Sequence, residues 1–335
     1  MEIRELRHDT ISAAEATELA RLNSLVDPRR LRSDPPVTAE LAIDELRPSV
    51  ATYAFAYWGL FDDERLVGLA EAAGAVGAEN ADVCELGVWV DPAADNGPEL
   101  RRRLFDHAAG LEKDRGRTRF WGWGDLHDEA TRSFWEDDLG YTLAYDERIS
   151  RCTLADIDAP MLQQWVDRAA ERASGYHLVR AEAPFDDQLI AYFAQALEGM
   201  NDAPLDALEH EPESYDAERA RQIEHLHLAS NSEYRGVFAI ETETGELAGY
   251  TATRVPRNEP ALSKQGDTVT INAHRNQGIG RWLKADMIHW LQQVRPEVES
   301  LATGNAESNR AMLAINEQMG FHDVLHHAVW HKLDS

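Results

Sequence analysis

An internal repeat constrains the fold of this 335-residue chain more than any other feature of its sequence. Three short segments recur in the same order, displaced by 180 or 181 residues: Leu66-Val67-Gly68 as Leu247-Ala248-Gly249, Asp91 to Gly97 as Asn272 to Gly278, and Leu139-Gly140-Tyr141 as Met319-Gly320-Phe321. Recurrence at a nearly constant displacement is typical of a duplicated folding unit. We therefore predict two domains built on one plan, residues 1–154 and residues 155–335.

Apolar periodicity predicts the same succession of helices and strands in both halves. In the second half these are a helix, a strand hairpin, a strand that runs into an amphipathic helix, a further helix and a terminal strand: Asp186–Glu198, Gly236–Ile240 with Glu246–Arg254, Thr268–Ile271 with 279–291, Asn309–Gln318 and Val324–Lys332. Strands and helices in this mixed order indicate an α/β fold. We expect each domain to have a central sheet flanked by helices, completed by its own terminal strand.

The charge balance and the cysteines exclude several classes of partner. Lys and Arg number 33 against 60 Asp and Glu, so the net charge of −27 repels nucleic acid and anionic lipid. The two cysteines, Cys84 and Cys152, form no Cys-x-x-Cys pair, which favours a reducing cytoplasm. No segment approaches the roughly 20 apolar residues of a membrane span. His225 and His227 would point to different faces of a helix, so no metal site is predicted.

One motif, Arg275-Asn276-Gln277-Gly278-Ile279-Gly280-Arg281, lies between a predicted strand and a predicted helix. Two glycines at such a junction allow a tight turn, and successive backbone N–H groups at the helix N-terminus make a cradle for a pyrophosphate. Arg275, Arg281 and Lys284 would add positive charge. For an isolated motif of this kind, an ordinary helix entry with glycine in its turn is the alternative.

The sequence lacks the signatures of several other enzyme classes. A dinucleotide-binding fingerprint would need a third glycine where Leu283 stands, and the Gly-Lys-Ser/Thr of a P-loop does not occur. The Gly-x-Ser-x-Gly of serine hydrolases and the His-Glu-x-x-His of zinc proteases do not occur either. The sequence therefore shows no signature that would support dehydrogenase, NTPase or hydrolase chemistry.

The cradle motif resembles that of the GNAT superfamily of N-acetyltransferases, which reads Q/R-x-x-G-x-G/A between a strand and a helix. A second landmark of that family is similar to Asn305 after the next strand and to the segment from Asn309 to Met319-Gly320-Phe321. The repeat extends the resemblance over nearly the whole chain, in an arrangement similar to mycothiol synthase and other tandem acetyltransferases. The implied fold is α/β, with two tandem GNAT-like domains that each have a mixed central sheet.

The resemblance implies direct transfer of an acetyl group from acetyl-CoA to the amine of a small molecule, catalysed by the C-terminal domain. It places the acetyl-CoA contacts on one segment and three asparagines: Ile271, Asn272, Arg275, Asn276, Gln277, Gly278, Ile279, Gly280, Arg281, Asn305, Asn309 and Asn316. A backbone N–H at Thr270 or Ile271 would bind the oxyanion. Asp202 and Asp267 are the candidates for the base that deprotonates the acceptor amine.

Two features depart from the family pattern. Where the family often has a tyrosine that protonates the leaving thiolate, this chain has Asn316, and an amide cannot act as that acid. In the first half, a displacement of 181 places Gly280 on Glu99 and one of 179 places it on Arg101, so the paired glycines are lost. We therefore predict a degenerate first domain and one acetyl-CoA per chain.

Other functions and assembly states stay open at the level of sequence. The same fold can serve an acyltransferase that uses a longer acyl-CoA, or a non-catalytic CoA-binding sensor or partner module. The cradle does not separate these functions, because it would bind the cofactor in each of them. The protein is expected to be a monomer or a homodimer.

Overall fold

The computed structural model describes residues 1–77 and 79–332, and these residues form two compact units. Unit 1 comprises the described residues of 1–148, residues 205–211 and the described residues from Val324 onward. Unit 2 comprises Ile149–Pro204 and Pro212–Asp323. Residues 333–335, which end the second predicted domain, lie outside the described residues.

Helices and strands alternate along the chain in the predicted manner, which confirms the α/β class. In chain order they are β1 (Glu2–Glu5), α1 (Ala13–Val26), α2 (Ala39–Glu45), β2 (Tyr53–Asp62), β3 (Arg65–Ala75), β4 (Val83–Val90), α3 (Gly97–Asp114), β5 (Arg119–Asp125), α4 (Glu129–Ser133), β6 (Thr142–Thr153), α5 (Ala159–Arg172), β7 (Tyr176–Glu182), α6 (Asp187–Gly199), α7 (Ala217–Ala229), β8 (Ser232–Glu241), β9 (Leu247–Pro256), β10 (Leu262–Thr270), α8 (Ile279–Val294), β11 (Ser300–Ala306), α9 (Arg310–Gln318) and β12 (His322–His331). The helix predicted over 279–291 is α8, three residues longer than expected.

Unit 1 is a sheet with helices on both faces. Its strand order is β1-β2-β3-β4-β5-β12, antiparallel except for the parallel pair β4 and β5. One buried apolar cluster, which includes Leu86 and Leu104, joins α3 to the sheet. Because strand side chains alternate between faces, Trp89 belongs to a second cluster, which holds α1 and α2 on the other face. The sheet of unit 1 is therefore mixed and covered on both sides, as predicted.

Unit 2 has the same plan. Its strand order is β11-β10-β9-β8-β7, with β10 and β11 parallel and the other pairs antiparallel. Leu283 and Met287 of α8 are fully buried in the cluster that also holds Trp165 of α5. The cluster on the other face contains Phe193 of α6 and Val269 of β10. The amphipathic face predicted for α8 is thus the face that packs on the sheet.

The terminal strand β12 belongs to unit 1, whereas the repeat predicts that it completes the second domain. It pairs antiparallel with β5, where Trp330 lies opposite Gly122. Trp330 is completely buried near Trp135, and its indole N–H donates to Glu136 Oε1 at 3.0 Å. This burial of a large apolar ring explains the pairing. The compact units divide after residue 148, and unit 1 also includes the described residues from Val324 onward. The division at residue 154 therefore stays a prediction about the sequence repeat.

Lys284 of α8 does not present its charge at the helix surface. Its side chain is 1% exposed, and burial lowers its pKa from 10.5 to about 8, although Cys152 acts in the opposite sense. Below pH 8 both the folded and the unfolded chain carry this proton, and the folded state bears the cost of a buried ammonium. The cost is removed as the pH rises from 8 to 10.5, because only the unfolded chain still binds the proton there.

Replacing Lys284 with Met is therefore expected to stabilise the protein. At pH 7 the gain should be about 3 kcal/mol, since each pKa unit corresponds to about 1.4 kcal/mol. Urea unfolding of both proteins between pH 7 and pH 10.5 measures this difference, which should shrink towards zero at the alkaline end. A difference that stays constant with pH would contradict the assignment of the penalty to the ammonium.

Candidate active site

The strand β10 has an open edge at its C-terminal end. It pairs with β11 only from Leu262 to Lys264, and its pairing with β9 shifts register between Gln265 and Thr268. A register shift of this kind bends a strand and redirects its side chains. Beyond Lys264 the backbone of β10 is therefore not paired to β11, and its N–H groups on that side are available to another molecule.

Hydrogen bonding separates the two backbone groups predicted to bind an oxyanion. The Ile271 N–H donates to Ala248 O at 2.9 Å, so it is used within the sheet. N–H groups of successive residues point to opposite edges of a strand, and the Thr270 N–H is therefore directed to the open edge. Of the two predicted donors, the geometry favours Thr270.

The segment after β10 forms the turn that the two glycines predict. Asn276 and Gly278 both have left-handed backbone conformations, with φ of 68° and 84°. Gly278 is the N-cap of α8 and provides no side-chain cap, so the first N–H groups of the helix, on Ile279, Gly280 and Arg281, have no partner within the helix. These groups, with the positive end of the helix dipole, are suited to bind a pyrophosphate.

Asp202, one of the two predicted bases, is hydrogen-bonded to this turn and is not a free carboxylate. Its Oδ2 accepts from Asn272 Nδ2 at 2.7 Å and from the Arg275 guanidinium at 3.2 Å. Arg275 also donates through Nε to Thr270 O at 3.2 Å, so its charge is held beside the end of β10. With its carboxylate engaged by two donors, Asp202 is less suited to remove a proton than the sequence suggested.

Asp267, the other predicted base, has no hydrogen-bond partner in the part of the chain that the structure describes. Burial raises the pKa of this carboxyl above its ordinary value of 3.8. The hydroxyl groups of Tyr234 and Tyr250 lie 3.0 Å apart. The pKa of Tyr234 is raised, chiefly by burial and secondly by the negative charge of Asp267. A half-buried carboxylate with no partner and a raised pKa has the properties of a general base.

Sequence reasoning missed a contact between His274 and Tyr176. His274 is buried directly before the cradle, and its Nδ1 lies 3.0 Å from the Tyr176 hydroxyl. The two rings also pack edge to face with centroids 5.6 Å apart. Because Tyr176 stands at the start of β7, 98 positions away in sequence, no local pattern could have indicated this pair. His274 lies between Asn272 and Arg275 in sequence, so Tyr176 and Asp202 both hold the same short segment.

The three predicted asparagines and Arg281 have structural partners. Asn305 Oδ1 accepts from Asn316 Nδ2 at 2.7 Å, and Asn309 caps α9 by accepting from the Met312 N–H. Asn316 is 1% exposed, and its Oδ1 has no partner among the described residues. The Arg281 guanidinium lies 5.6 Å from the Trp165 ring centroid. Gln277 is exposed in the turn itself.

The corresponding turn of unit 1 differs at each position that matters. Its helix α3 also begins after a left-handed N-cap, Asn96, so the two helix starts align with a displacement of 182. This alignment places Pro98 where Gly280 stands and Glu99 where Arg281 stands. Proline has no N–H to donate, and a glutamate repels phosphate. The β4–β5 pairing also extends over five residues without a shift in register.

Within residues 1–77 and 79–332, no three His, Cys, Asp or Glu side chains are grouped so that they could hold a metal ion. No helix among them combines the length and the apolar character that crossing a bilayer requires. The site described above is built from backbone donors, amides, arginine and carboxylates.

Known proteins share the fold of the whole chain, and a family profile matches part of it. The acetyltransferase (GNAT) family profile matches residues 197–321. A tandem GNAT protein from the clavulanic acid biosynthesis pathway is 21% identical, with a TM-score of 0.75 over 99% of this chain and 98% of that chain. A GCN5-related N-acetyltransferase from Sphaerobacter thermophilus is 16% identical, with a TM-score of 0.66 over 98% and 95%. None of the curated proteins has significant sequence similarity to this chain.

The family match runs from the end of α6 to the residue before β12. It includes the cradle, the open strand edge and both predicted bases. The two structural matches extend over both units of the chain, and their low identities bear on the fold alone. Residues 197–321 therefore match the acetyltransferase (GNAT) family profile, and the chain as a whole has the tandem two-domain GNAT fold.

Proposed function

We propose that the protein is an N-acetyltransferase that moves an acetyl group from acetyl-CoA to the amine of a small molecule by direct attack, with its active site in unit 2. The observation that carries this proposal is the open edge of β10 beside the uncapped N-terminus of α8. The first can pair with an extended amide chain, and the second can bind a pyrophosphate. A coenzyme A molecule has both groups.

The chain's own residues supply most of what such a transfer needs. Acetyl-CoA, when bound, supplies an acetyl group activated as a thioester. The N–H groups at the start of α8 and the Arg275 charge would hold the pyrophosphate, while Asp202 and Tyr176 hold the turn that carries them. The Thr270 N–H would stabilise the oxyanion, because it points to the open strand edge and is fixed in advance.

Asp267 would deprotonate the acceptor. An alkylammonium has an ordinary pKa of roughly 10, so the amine must lose a proton before it can attack. The raised pKa of Asp267 makes it a better proton acceptor than an exposed carboxylate, and its negative charge attracts a cationic acceptor. Asp267 is thus proposed both to bind the ammonium form and to accept its proton.

Asn316 stands where the family often has an acidic tyrosine, and its amide donates to another side chain. Its Nδ2 is directed to Asn305, so the two amides form a polar pair beside the end of β11. An amide cannot give up a proton at neutral pH. The chain is therefore proposed to release the thiolate without a dedicated acid residue.

Release of free thiol tests the proposed activity. The full-length protein should release thiol from acetyl-CoA in the presence of at least one member of a panel of small amines, at a rate that saturates with the amine. Faster release from propionyl-CoA or succinyl-CoA than from acetyl-CoA would favour the longer-acyl alternative. Tight coenzyme A binding in calorimetry without turnover on any amine would favour the sensor. The cytoplasmic location and the choice between monomer and homodimer stay predictions.

A further inference from the structure

The connection between α6 and α7, residues 200–216, leaves unit 2 and returns to it. Unit 2 contains the chain up to Pro204 and again from Pro212, whereas residues 205–211, the excursion, belong to unit 1. The equivalent connection of unit 1, residues 27–38 between α1 and α2, lies entirely within its own unit. The excursion is therefore specific to the second copy of the repeat, and the proposed reaction does not explain it.

A buried asparagine of unit 1 holds the end of the excursion. Asn80 Nδ2 donates to Glu211 O at 2.9 Å, and Asn80 Oδ1 accepts from the Glu211 N–H at 2.8 Å. Two residues that exchange both bonds in this way are joined as neighbours in an antiparallel sheet are. Asn80 is only 4% exposed and has a left-handed backbone, with φ of 56°. The amide that makes the pair is therefore itself fixed within unit 1.

Further contacts join the excursion to β5 and β6 of unit 1. They are a hydrogen bond from the Ala207 N–H to Ala144 O at 3.1 Å, one from Arg119 Nη1 to Glu209 O at 2.6 Å, and a ring contact of His210 with Trp121 at 5.9 Å between centroids. The Arg119 guanidinium is in turn held by Asp82 at 2.6 Å. The hydrogen bonds engage backbone groups of the excursion, so they fix the path of its chain.

Both ends of the connection reach the proposed active site of unit 2. Before the excursion, the carboxylate of Asp202 is hydrogen-bonded to the cradle turn. After the excursion, Tyr215 packs against the apolar cluster that contains Val269 of β10. The pKa of Tyr215 is raised, chiefly by burial, and the negative charge of Asp267 also contributes. The second end of the connection therefore lies close to the proposed base.

The two ends are also joined to each other, by a second asparagine. Asn201 Nδ2 donates to Glu213 O at 2.7 Å, and Asn201 Oδ1 accepts from the Glu213 N–H at 3.0 Å. Only Pro212 separates Glu213 from Glu211, the residue that Asn80 holds. Because proline restricts the backbone between them, a change in the position of Glu211 is transmitted to Glu213 and to the residues that follow.

We infer that Asn80 is a positioning residue for acetyl transfer: by holding the excursion, unit 1 sets the conformation of residues 212–216 beside the proposed base. This inference rests on the proposed function. A segment that is ordered in advance binds an amine at a lower cost in conformational entropy than one that must be ordered on binding. Asp267 and Thr270 lie on β10, and Asp202 keeps its own bonds to the cradle turn. Loss of the Asn80 amide should therefore weaken amine binding and leave the chemical step and coenzyme A binding unchanged.

Replacing Asn80 with Gly tests the positioning without reference to activity. Glycine tolerates the left-handed backbone, so the fold is kept while both bonds to Glu211 are lost. Hydrogen–deuterium exchange of the full-length protein, followed by mass spectrometry, should show amides of residues 205–211 exchanging at least about tenfold faster, and those of residues 212–216 at least about threefold faster. Asn96→Gly is the matched control, because Asn96 is also left-handed, with φ of 60°, and its side chain makes no cap hydrogen bond within the described residues. It should leave the exchange of both segments unchanged.

Several results of this experiment would overturn the inference. Faster exchange that is confined to residues 205–211 would do so, whether or not the protein acetylates an amine. So would equal acceleration by Asn96→Gly, or no acceleration by Asn80→Gly. Arg119→Met is a second variant, which removes the bond to Glu209 O and should accelerate exchange in the same two segments. It decides the question if Asn80→Gly does not fold.

Steady-state rates separate positioning from a merely structural role. With the best amine of the panel, Asn80→Gly should raise the KM for the amine about tenfold, while kcat and the KM for acetyl-CoA change by less than about twofold. A lower kcat with an unchanged KM for the amine would overturn the inference. If the unaltered protein turns over no amine, the proposed function fails, and the exchange result still decides whether unit 1 holds residues 212–216.

Discussion

Replacing Asp267 with Asn is expected to lower kcat for acetyl transfer at least about a hundredfold, which is the usual contribution of a general base. Asn has nearly the same shape as Asp, and Asp267 has no hydrogen bond among the described residues that the change could break. The folded state should therefore be at least as stable as before, since a half-buried charge has been removed. Steady-state rates with the best amine of the panel, together with urea unfolding, measure both effects.

The pH dependence distinguishes this role from a merely structural one. Asp267 accepts a proton only when it is ionised, and burial raises its pKa above the ordinary 3.8. The unaltered enzyme should lose activity as the pH falls through this raised pKa, so the acidic limb of kcat/KM lies at a higher pH than an exposed carboxylate would give. Asp267→Asn should remove that limb.

Asp202→Asn is the matched control, because it makes the same chemical change at the other predicted base. It should keep the acidic limb and most of kcat. The KM for acetyl-CoA should rise instead. Arg275 loses its charged partner, and the turn loses the ion pair that holds it in place. If Asp267→Asn kept its rate and its pH limb while Asp202→Asn lost them, the roles assigned to the two carboxylates would be reversed.

Replacing Gly280 with Glu is expected to weaken coenzyme A binding by about a hundredfold or more. Gly280 is the second residue of α8, where its N–H has no partner within the helix and is aimed at the proposed pyrophosphate site. A carboxylate placed there repels the phosphates, and juxtaposed like charges cost several kcal/mol. Calorimetric titration should give one coenzyme A per chain for the unaltered protein and no measurable site for the variant.

Two further substitutions separate repulsion from steric disturbance. Gly280→Ala adds only a Cβ, which would lie 3.4 Å from Thr270 Oγ1, so binding should change little. Gly97→Glu places the same new carboxylate at the start of α3 in unit 1, where a Cβ would meet no atom within 4 Å. It should leave the affinity and the stoichiometry unchanged. A loss of one of two sites in Gly97→Glu would contradict the degenerate role of that turn.

Local patterns were enough to predict the helices, the strands and the cradle. The apolar spacing of α8 follows from its packing on one sheet face, and the left-handed conformation of Gly278 is what a glycine at a helix start favours. Both are consequences of a few neighbouring residues. The repeat then predicted the mixed α/β class of each unit, which the strand orders confirm.

The rest depended on contacts between residues far apart in sequence. Asp202 and Asp267 look alike as acidic residues near strand or helix ends, and only the bonds from Asn272 and Arg275 to Asp202 distinguish them. The side chain of His274 meets Tyr176 across 98 positions. The partner of β12 was also hidden, because a strand's own residues specify that it pairs but not which free edge it joins.

The placement of β12 has a consequence for how the chain is made. Translation delivers β1 to β5 early, but the strand that pairs with β5 and carries the buried Trp330 follows only after the whole of unit 2. The side of β5 that later pairs with β12 is therefore an exposed edge throughout the synthesis of unit 2. A gene cut at the midpoint of the repeat would yield a first product that keeps this edge and aggregates, whereas a product supplied with β12 as a separate peptide should recover its solubility.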